Sequence, residues 1–288
     1  MKVFVTGTGG QLGHDVYDEL IKRGHTAYGE YVDITDRDAI TKVIRDGSFD
    51  AVIHCAAKTS VDEAEDPGKT DLFYRTNAEG TRYIAKAVRE TGGKMLYVST
   101  DYVYDGSGDQ PIDPDKAVTD PLNNYGLSKL KGENYVRDEL EKFFIVRTQW
   151  VFGSNGNNFV KTMLRLGRDH SELSIVDDQM GTPTYTEDLS RLLADMVETE
   201  RYGIYNASNS EDPVGRYISW ADFAEKIFKI MGYGVKINRI KTSEYKGAKA
   251  LRPLNTRLDK KKIADMGFDV LPSWEDALER YLNRSTGE

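Results

Sequence analysis

A tyrosine and a lysine stand four residues apart in the segment NNYGLSKLKGE, as Tyr125 and Lys129. Residues at this spacing lie on one face of a helix, one turn apart. A phenol has an ordinary pKa of about 10, and a nearby ammonium group favours its ionised form. We therefore expect Lys129 to lower the pKa of Tyr125, so that Tyr125 can exchange a proton near neutral pH. The alternative is a surface tyrosine that packs on a lysine stem.

Two hydroxyl side chains, Ser99 and Thr100, stand where the apolar run KMLYVS ends in the segment YVSTDYVYDG. The carboxyl ends of parallel strands are the places where open α/β sheets bind their ligands. One of these hydroxyls could hold a substrate carbonyl while Tyr125 supplies a proton. A turn or a helix cap is the alternative, and we expect it to hold for one of the two residues.

A glycine-rich loop, TGTGGQLG, directly follows the first apolar run and places Gly7, Gly10 and Gly13 in the spacing G-x-x-G-x-x-G. Such glycines allow a sharp turn, a close approach of backbone N–H groups to a pyrophosphate and tight packing of the next helix. The helix N-terminus adds partial positive charge. A glycine-rich turn can be purely structural, but a strand before it and a helix after it predict a dinucleotide site.

An acidic residue about 20 positions further on often binds the adenosine ribose of such a ligand. Asp33 and Glu30 both lie in this range. The alternative is that both are solvated loop charges and that Thr35 or Asp36 caps the next helix. The stretch holds no arginine cluster for a 2′-phosphate, but Arg23 and Arg37 lie nearby in the sequence, so NADH and NADPH both stay open as cofactors.

The elements that must position these residues alternate in the first half of the chain. Short apolar runs separated by segments of helical period predict a parallel sheet built from βαβ units, hence an α/β, Rossmann-type, doubly wound fold. The predicted strands are 2–6, 51–55, 94–99 and 143–147, with a weak strand after Gly24, and the predicted helices are 11–23, 36–45, 71–90 and 124–141. We assign 1–152 to the dinucleotide-binding domain, to which later segments return, and 153–288 mainly to a smaller mixed substrate lobe. Helices are predicted there over 220–231 and 273–282, the second capped by Ser273.

Composition excludes several classes of function. The chain has 288 residues, with 39 Lys and Arg against 47 Asp and Glu, and a net charge of −8 argues against nucleic-acid binding. Cys55 is the sole cysteine, which rules out an internal disulfide and a cysteine-rich zinc site. The sequence shows neither a signal-type apolar segment near Met1 nor a run long enough to span a membrane. We expect a cytoplasmic protein with no membrane partner.

The glycine loop, the STD segment and the Tyr-x-x-x-Lys pair occur in the order of the extended short-chain dehydrogenase/reductases, and the chain resembles that family. RTNAEGT resembles its N-x-x-G-T segment. Within it, the chain is most similar to the dTDP-4-dehydrorhamnose reductases, in blocks that span nearly its whole length. The blocks are GQLG, AAKTSVDEAE, STDYVYDG, PLNNYGLSKLKGE, RTQWVFG, NNFVKTML, DDQMGTPT and LRPLNTRLD.

This resemblance implies a role for each matching residue. Thr100, Tyr125 and Lys129 would be catalytic, with Tyr125 as the acid and Lys129 holding ribose and tuning Tyr125. The implied cofactor-binding residues are Gly7, Gly10, Gln11, Leu12, Asp33, Ile34, Ala56, Ala57, Lys58, Ser99, Tyr125 and Lys129. The implied substrate-binding residues are Thr59, Val61, Thr100, Tyr125, Trp150, Asn158 and Arg252. A sugar face packing on the indole of Trp150 also makes physical sense, although a core tryptophan is the alternative.

The implied reaction is reduction of the C4 keto group of dTDP-4-dehydro-β-L-rhamnose to dTDP-L-rhamnose, with hydride from NADPH or NADH. The oligomeric state stays open, with a homodimer as one candidate. Some members of the family use magnesium at a dimer contact, but no residue of this chain is singled out for that ion. Lys58 replaces the usual Tyr or His of its block, which leaves cofactor preference open. The alternatives are another NAD(P)-dependent nucleotide-sugar reductase or epimerase, and a non-catalytic dinucleotide-binding regulatory subunit.

Overall fold

The computed structural model describes residues 1–212 and 214–286. Its centre is a six-stranded sheet in which every neighbouring pair is parallel, in the order β10-β5-β4-β3-β1-β2. The strands are β1 Lys2–Thr6, β2 Thr26–Tyr28, β3 Ala51–His54, β4 Lys94–Thr100, β5 Phe143–Thr148 and β10 Gly203–Asn206. The helices of this part are α1 Gln11–Lys22, α2 Arg37–Gly47, α3 Thr70–Tyr74, α4 Thr81–Thr91, α5 Asn124–Glu139, α7 Thr186–Val197 and α9 Lys261–Asp265. The prediction of a Rossmann-type α/β fold is confirmed.

Helices cover both faces of this sheet. Apolar side chains of α1 and α7 pack on one face, and those of α2, α4 and α5 pack on the other. The central strands are therefore buried on both sides, which explains why they read as continuous apolar runs rather than alternating ones. The strand order places the carboxyl ends of β1, β3, β4 and β5 side by side at one edge.

The helix predicted over 71–90 is interrupted in the structure. A π-helical segment, Arg75–Gly80, lies between α3 and α4. Within it, the buried Asn77 side chain bonds both the backbone N–H and the carbonyl of Lys58, and a Cβ on Gly80 would come within 3.0 Å of Ile34. These contacts tie the segment to the loop after β3 and to the segment between β2 and α2, and periodicity alone does not reveal such long-range anchoring.

The second half of the chain forms a smaller mixed lobe and returns β10, α7 and α9 to the sheet. Its short strands are β6 Val151–Phe152, β7 Glu172–Val176, β8 Met180–Gly181, β9 Thr184–Tyr185, β11 Ile218–Ser219 and β12 Lys236–Ile240. Its helices are α6 Phe159–Asp169, α8 Trp220–Met231 and α10 Trp274–Thr286. The Ser273 hydroxyl accepts from the backbone of Asp276, as the predicted cap requires. The boundary at residue 152 stays a prediction, and residues 213, 287 and 288 of the predicted lobe lie outside the described part.

Across the described residues, no helix combines the length and apolarity needed to cross a bilayer.

Candidate active site

A cavity of about 660 Å³ opens at the carboxyl ends of β1, β3, β4 and β5, beneath the smaller lobe. We call it the central cavity. Twelve of the predicted site residues line it: Gly7, Gly10, Gln11, Leu12, Ala57, Thr59, Val61, Ser99, Thr100, Tyr125, Lys129 and Trp150. Sheet, lobe and helix α5 thus bring residues from many parts of the chain to one site.

The glycine loop has the geometry that a dinucleotide cradle requires at two positions. Gly7 has φ +74°, in the left-handed region, and a Cβ there would lie 2.7 Å from the backbone N of Ala56. A Cβ on Gly13 would lie 2.2 Å from the carbonyl oxygen of Gly7. The first contact holds the loop against β3, and the second holds α1 against the loop, so side chains at either position would destroy the cradle.

Replacing Gly13 with alanine tests this cradle. The added methyl group pushes α1 away from the Gly7 carbonyl, so we expect the affinity for NADPH to fall by about tenfold or more, equivalent to roughly 1.4 kcal/mol. Isothermal titration with NADPH measures the change. Gly9→Ala is the matched control, because a Cβ on Gly9 meets nothing within 4 Å. Equal affinities for the two variants would contradict the cradle.

Tyr125 and Lys129 occupy the first two turns of α5 and both face the central cavity. Lys129 is 2% exposed, and its Nζ donates to the Val98 carbonyl at 2.8 Å and lies 4.1 Å from the centre of the Tyr97 ring. Burial lowers the pKa of Lys129 to about 7, partly offset by the negative charge of Glu133. The side chain is therefore anchored beside the cavity rather than extended into solvent.

The expected lowering of the Tyr125 pKa is wrong for this structure. Burial raises the pKa of the Tyr125 phenol well above 10, and a hydrogen bond with Thr100 offsets this only in part. Lys129 is not among the groups that shift this pKa, and its ammonium group donates to the Val98 carbonyl instead. A phenol that stays protonated at neutral pH is nevertheless suited to donate a proton.

The two hydroxyls at the end of β4 have different partners. Ser99 donates to the buried carboxylate of Glu133 at 2.6 Å. Thr100 caps the 3-10 turn at 101–103 by accepting from the Tyr102 N–H, and it donates to Asp101 at 2.9 Å. Thr100 also lies within hydrogen-bonding reach of Tyr125. Thr100 thus serves as a cap, as we expected of one of the pair, and still lies beside Tyr125.

Aromatic side chains from the smaller lobe form one wall of the central cavity. The indoles of Trp150 and Trp220 stack with centroids 3.8 Å apart, and Phe159 and Phe223 pack beside them. Trp150 has φ +46°, a conformation rare outside glycine that often marks functional sites. The sequence predicts a role for Trp150 but gives no signal for Trp220. The sequence predicts the helix that starts at Trp220, but the stacking of Trp220 on Trp150 is a tertiary contact that it does not predict.

Asp33 and Ile34 do not line the central cavity. Asp33 accepts from the N–H and the hydroxyl of Thr35 at 2.9 and 2.8 Å, and these bonds lower its pKa. The Ile34 side chain is buried against Gly80, and the helix α2 is capped by Asp36. The local turn therefore uses Asp33 in the manner of the alternative, and its contact with a cofactor stays a prediction.

Four other predicted residues also lie outside the lining: Ala56, Lys58, Asn158 and Arg252. Ala56 packs against Gly7, and the exposed Lys58 uses its backbone to bind Asn77. Asn158 caps α6 and donates to Gln11 at 3.0 Å, which joins the smaller lobe to the glycine loop.

Arg252 forms an ion pair with Asp62, with Nη2 of the arginine 2.6 Å from the carboxylate. Asp62 also accepts from the backbone N–H groups of Lys249 and Ala250. This carboxylate therefore fastens the segment before Arg252 to the loop after β3, near the wall that holds Val61.

The whole described chain matches known proteins. Residues 1–286 match the family model described as the RmlD substrate binding domain. The chain is 37% identical to the dTDP-4-dehydrorhamnose reductase of Aggregatibacter actinomycetemcomitans, over 96% of this chain and 97% of that one. It is 36% identical to the spore coat polysaccharide biosynthesis protein SpsK of Bacillus subtilis, over 98% and 96%. The chain belongs to the RmlD family.

A solved structure of the RmlD family has the same architecture. The dTDP-4-dehydrorhamnose reductase of Bacillus anthracis, in complex with NADP, superimposes with a TM-score of 0.92 at 39% identity, covering 98% of this chain and 99% of that chain. The resemblance to the dTDP-4-dehydrorhamnose reductases is therefore confirmed over the full length. The NADP bound in that structure is the kind of ligand that the glycine cradle of this RmlD chain is shaped to hold.

No cluster of three or more His, Cys, Asp or Glu side chains with the geometry of a metal site occurs among the residues that the structure describes. Magnesium binding stays an expectation without assigned residues.

Proposed function

We propose that this chain is an oxidoreductase that reduces the C4 keto group of dTDP-4-dehydro-β-L-rhamnose, using NADPH or NADH, and releases dTDP-L-rhamnose. The observation that carries the proposal is the convergence of the glycine cradle, Thr100, Tyr125 and Lys129 on one cavity in a chain of the RmlD family. The names of the relatives at 34–37% identity support the same substrate and reaction.

The residues of the chain would divide the work. The bound nicotinamide supplies the hydride. Gly7, Gly10, Gln11 and Leu12 hold the pyrophosphate, and Lys129 donates to ribose hydroxyls. Tyr125, kept protonated by burial, gives its proton to the oxygen formed at C4. Thr100 donates a hydrogen bond to the same oxygen, which places the keto group for attack.

The sugar would lie between the loop after β3 and the aromatic wall. Thr59 and Val61 of that loop line the central cavity, and so do the stacked indoles of Trp150 and Trp220. An indole face packs well on the apolar face of a sugar ring. Arg252 and Asn158 would then contact the nucleotide from the rim.

Spectrophotometric assays of NADPH and NADH oxidation test the proposal, with the 4-keto sugar nucleotide generated in situ. We expect oxidation that depends on the sugar, and the ratio of rates with the two cofactors gives the preference. The same assay with and without magnesium tests that ion. Tight dinucleotide binding without sugar-dependent oxidation would instead favour the regulatory subunit, and retention of NAD through turnover would favour an epimerase.

Assembly and location complete the proposal. A homodimer is the candidate assembly, and sedimentation equilibrium tests it. The use of a nucleotide sugar and a reduced nicotinamide, both metabolites of the cell interior, supports a cytoplasmic location.

A further inference from the structure

A buried carboxyl group, Asp101, lies beside the proposed catalytic residues and has no part in the mechanism above. The side chain lines the central cavity and is only 3% exposed. Its Oδ1 receives the Thr100 hydroxyl at 2.9 Å. Its Oδ2 is fully buried and has no hydrogen-bond partner. A buried ionised carboxylate with an unpartnered oxygen is costly, whereas the protonated form needs less compensation.

The surroundings of Asp101 favour its protonated form. Tyr102 of the same turn and Tyr125 of α5 are the titratable groups that sense its charge, and neither is a cation. Of the cations in this region, Arg252 lowers the pKa of Tyr102, and the ammonium group of Lys129 donates to the Val98 carbonyl. Burial raises the pKa of Asp101 to about 7, although the hydrogen bond from Thr100 opposes the rise. Asp101 therefore changes charge near the pH at which an enzyme works.

The hydrogen-bonding capacity of Thr100 makes this charge matter. A threonine hydroxyl has one proton to donate and two lone pairs to accept with. One lone pair takes the Tyr102 N–H. When Asp101 is ionised, the Thr100 proton must point to Oδ1, and none is left for the cavity. When Asp101 is protonated, its own O–H can donate to the second lone pair, and the Thr100 proton is released towards the cavity.

We propose that Asp101 is a positioning residue that, by holding a proton, turns the Thr100 hydroxyl towards Tyr125 and the substrate keto oxygen. Thr100 keeps its proton throughout and donates only a hydrogen bond, while the proton transferred to the sugar comes from Tyr125. This inference rests on the proposed function, because it assigns the state in which Thr100 can assist the reduction.

Ionisation of Asp101 would weaken Tyr125 as an acid in two ways. It withdraws the Thr100 hydroxyl, whose hydrogen bond lowers the pKa of Tyr125. It also places a negative charge near the phenol, which raises that pKa further. Both effects act in the same direction, so activity falls as the pH rises through the pKa of Asp101.

Asp101→Asn separates this role from a structural one. The amide N–H₂ of asparagine is a permanent donor to Thr100 and mimics the protonated acid at every pH. We expect kcat/KM of the variant at pH 6 to lie within a few-fold of the wild-type value. Lys129 titrates in the same range, so the test compares the steepness of the two pH profiles. Above neutrality, log kcat/KM of the variant should fall by one unit less per pH unit than that of the wild type, since each ionisation that abolishes activity contributes about tenfold per pH unit.

Asp105→Asn is the matched control because this exposed aspartate lies four residues on and does not line the central cavity. Its profile should match the wild type. Profiles of equal steepness for Asp101→Asn and the wild type would overturn the inference, as would a wild-type profile that stays flat to pH 9.

Carbon-13 NMR of aspartate-labelled protein gives a second readout that needs no turnover. We expect a carboxyl resonance that titrates near pH 7 in the wild type and is missing from Asp101→Asn. If the Asp101 carboxyl resonance already has the chemical shift of an ionised carboxylate at pH 5, the role of Asp101 is overturned even in an active reductase. A wild type that never oxidises NADPH or NADH with the keto sugar would refute the proposed function, whatever the NMR titration shows.

Discussion

Replacing Tyr125 with phenylalanine should lower sugar-dependent turnover by about 10²- to 10⁴-fold, the usual contribution of a positioned general acid. The phenol is the buried hydroxyl next to Thr100, and its raised pKa keeps it protonated at neutral pH. The ring remains in place, packed against Phe73 and Ala64. We therefore expect NADPH affinity to change by less than about threefold. Initial rates of NADPH oxidation and a fluorescence titration with NADPH measure the two quantities.

Tyr135→Phe is the matched control on the same helix. That phenol bonds Glu79 at 2.9 Å at the protein surface and lies outside the central cavity. Its loss should leave turnover unchanged. A Tyr125→Phe variant that also works at the wild-type rate would remove Tyr125 from the mechanism, and a loss of NADPH binding equal to the loss of rate would make its role one of cofactor binding.

The fold and the site residues of three short segments can be predicted from local sequence patterns. The glycine loop, the Tyr125–Lys129 spacing and the hydroxyls at the end of β4 each occupy a short stretch whose neighbours dictate its geometry. Parallel strand order then brings their ends to one edge, because crossovers leave all carboxyl ends on the same side. The central cavity could for this reason be predicted before any contact was known.

Other features depend on contacts between distant segments. Trp220 enters the site only by stacking on Trp150, 70 positions earlier. The π-helical segment at 75–80 contains Asn77, whose side chain binds the loop after β3. In the sequence, Asp101 is one acidic residue of a polar turn. Only the buried, unpartnered Oδ2 seen in the structure indicates its proposed positioning role. No periodic pattern in the sequence predicts these contacts or this burial.

The upward shift of the Tyr125 pKa shows why residue spacing alone does not predict electrostatics. Two groups one helical turn apart interact strongly only if the cation is free to approach and stays charged. Here the Val98 carbonyl holds the Lys129 ammonium, and burial acts on both groups. Desolvation therefore sets the direction of the shift, and the pairwise attraction that the sequence suggested makes no contribution.

Replacing Arg147 with methionine should lower the free energy of unfolding by about 3–5 kcal/mol, the usual cost of breaking a buried ion pair. The guanidinium of Arg147 on β5 binds the Glu133 carboxylate of α5 with contacts of 2.6 and 3.0 Å, and the two side chains are 3% and 1% exposed. Ser99 is the other donor to this carboxylate. In the variant, the negative charge of Glu133 would remain buried without a cation. Urea denaturation measures the resulting loss of stability.

Arg239→Met is the matched control, since Arg239 forms ion pairs with Asp222 and Glu225 at the surface. Exposed pairs contribute little, so we expect a loss below about 1 kcal/mol. A loss equally small for Arg147→Met would show that the buried pair does not hold α5 against the sheet.

The double variant Arg147→Met/Glu133→Leu separates the stability of this pair from its effect on the site. Removing both charges should restore most of the stability, because no buried charge is left without a partner. Glu133 also raises the pKa of Lys129, so its removal lets that pKa fall below about 7. Lys129 would then be largely neutral at pH 7 and a weaker partner for ribose hydroxyls. We therefore expect a stable protein whose turnover is displaced towards lower pH, because the buried pair keeps Lys129 charged as well as holding the helix in place.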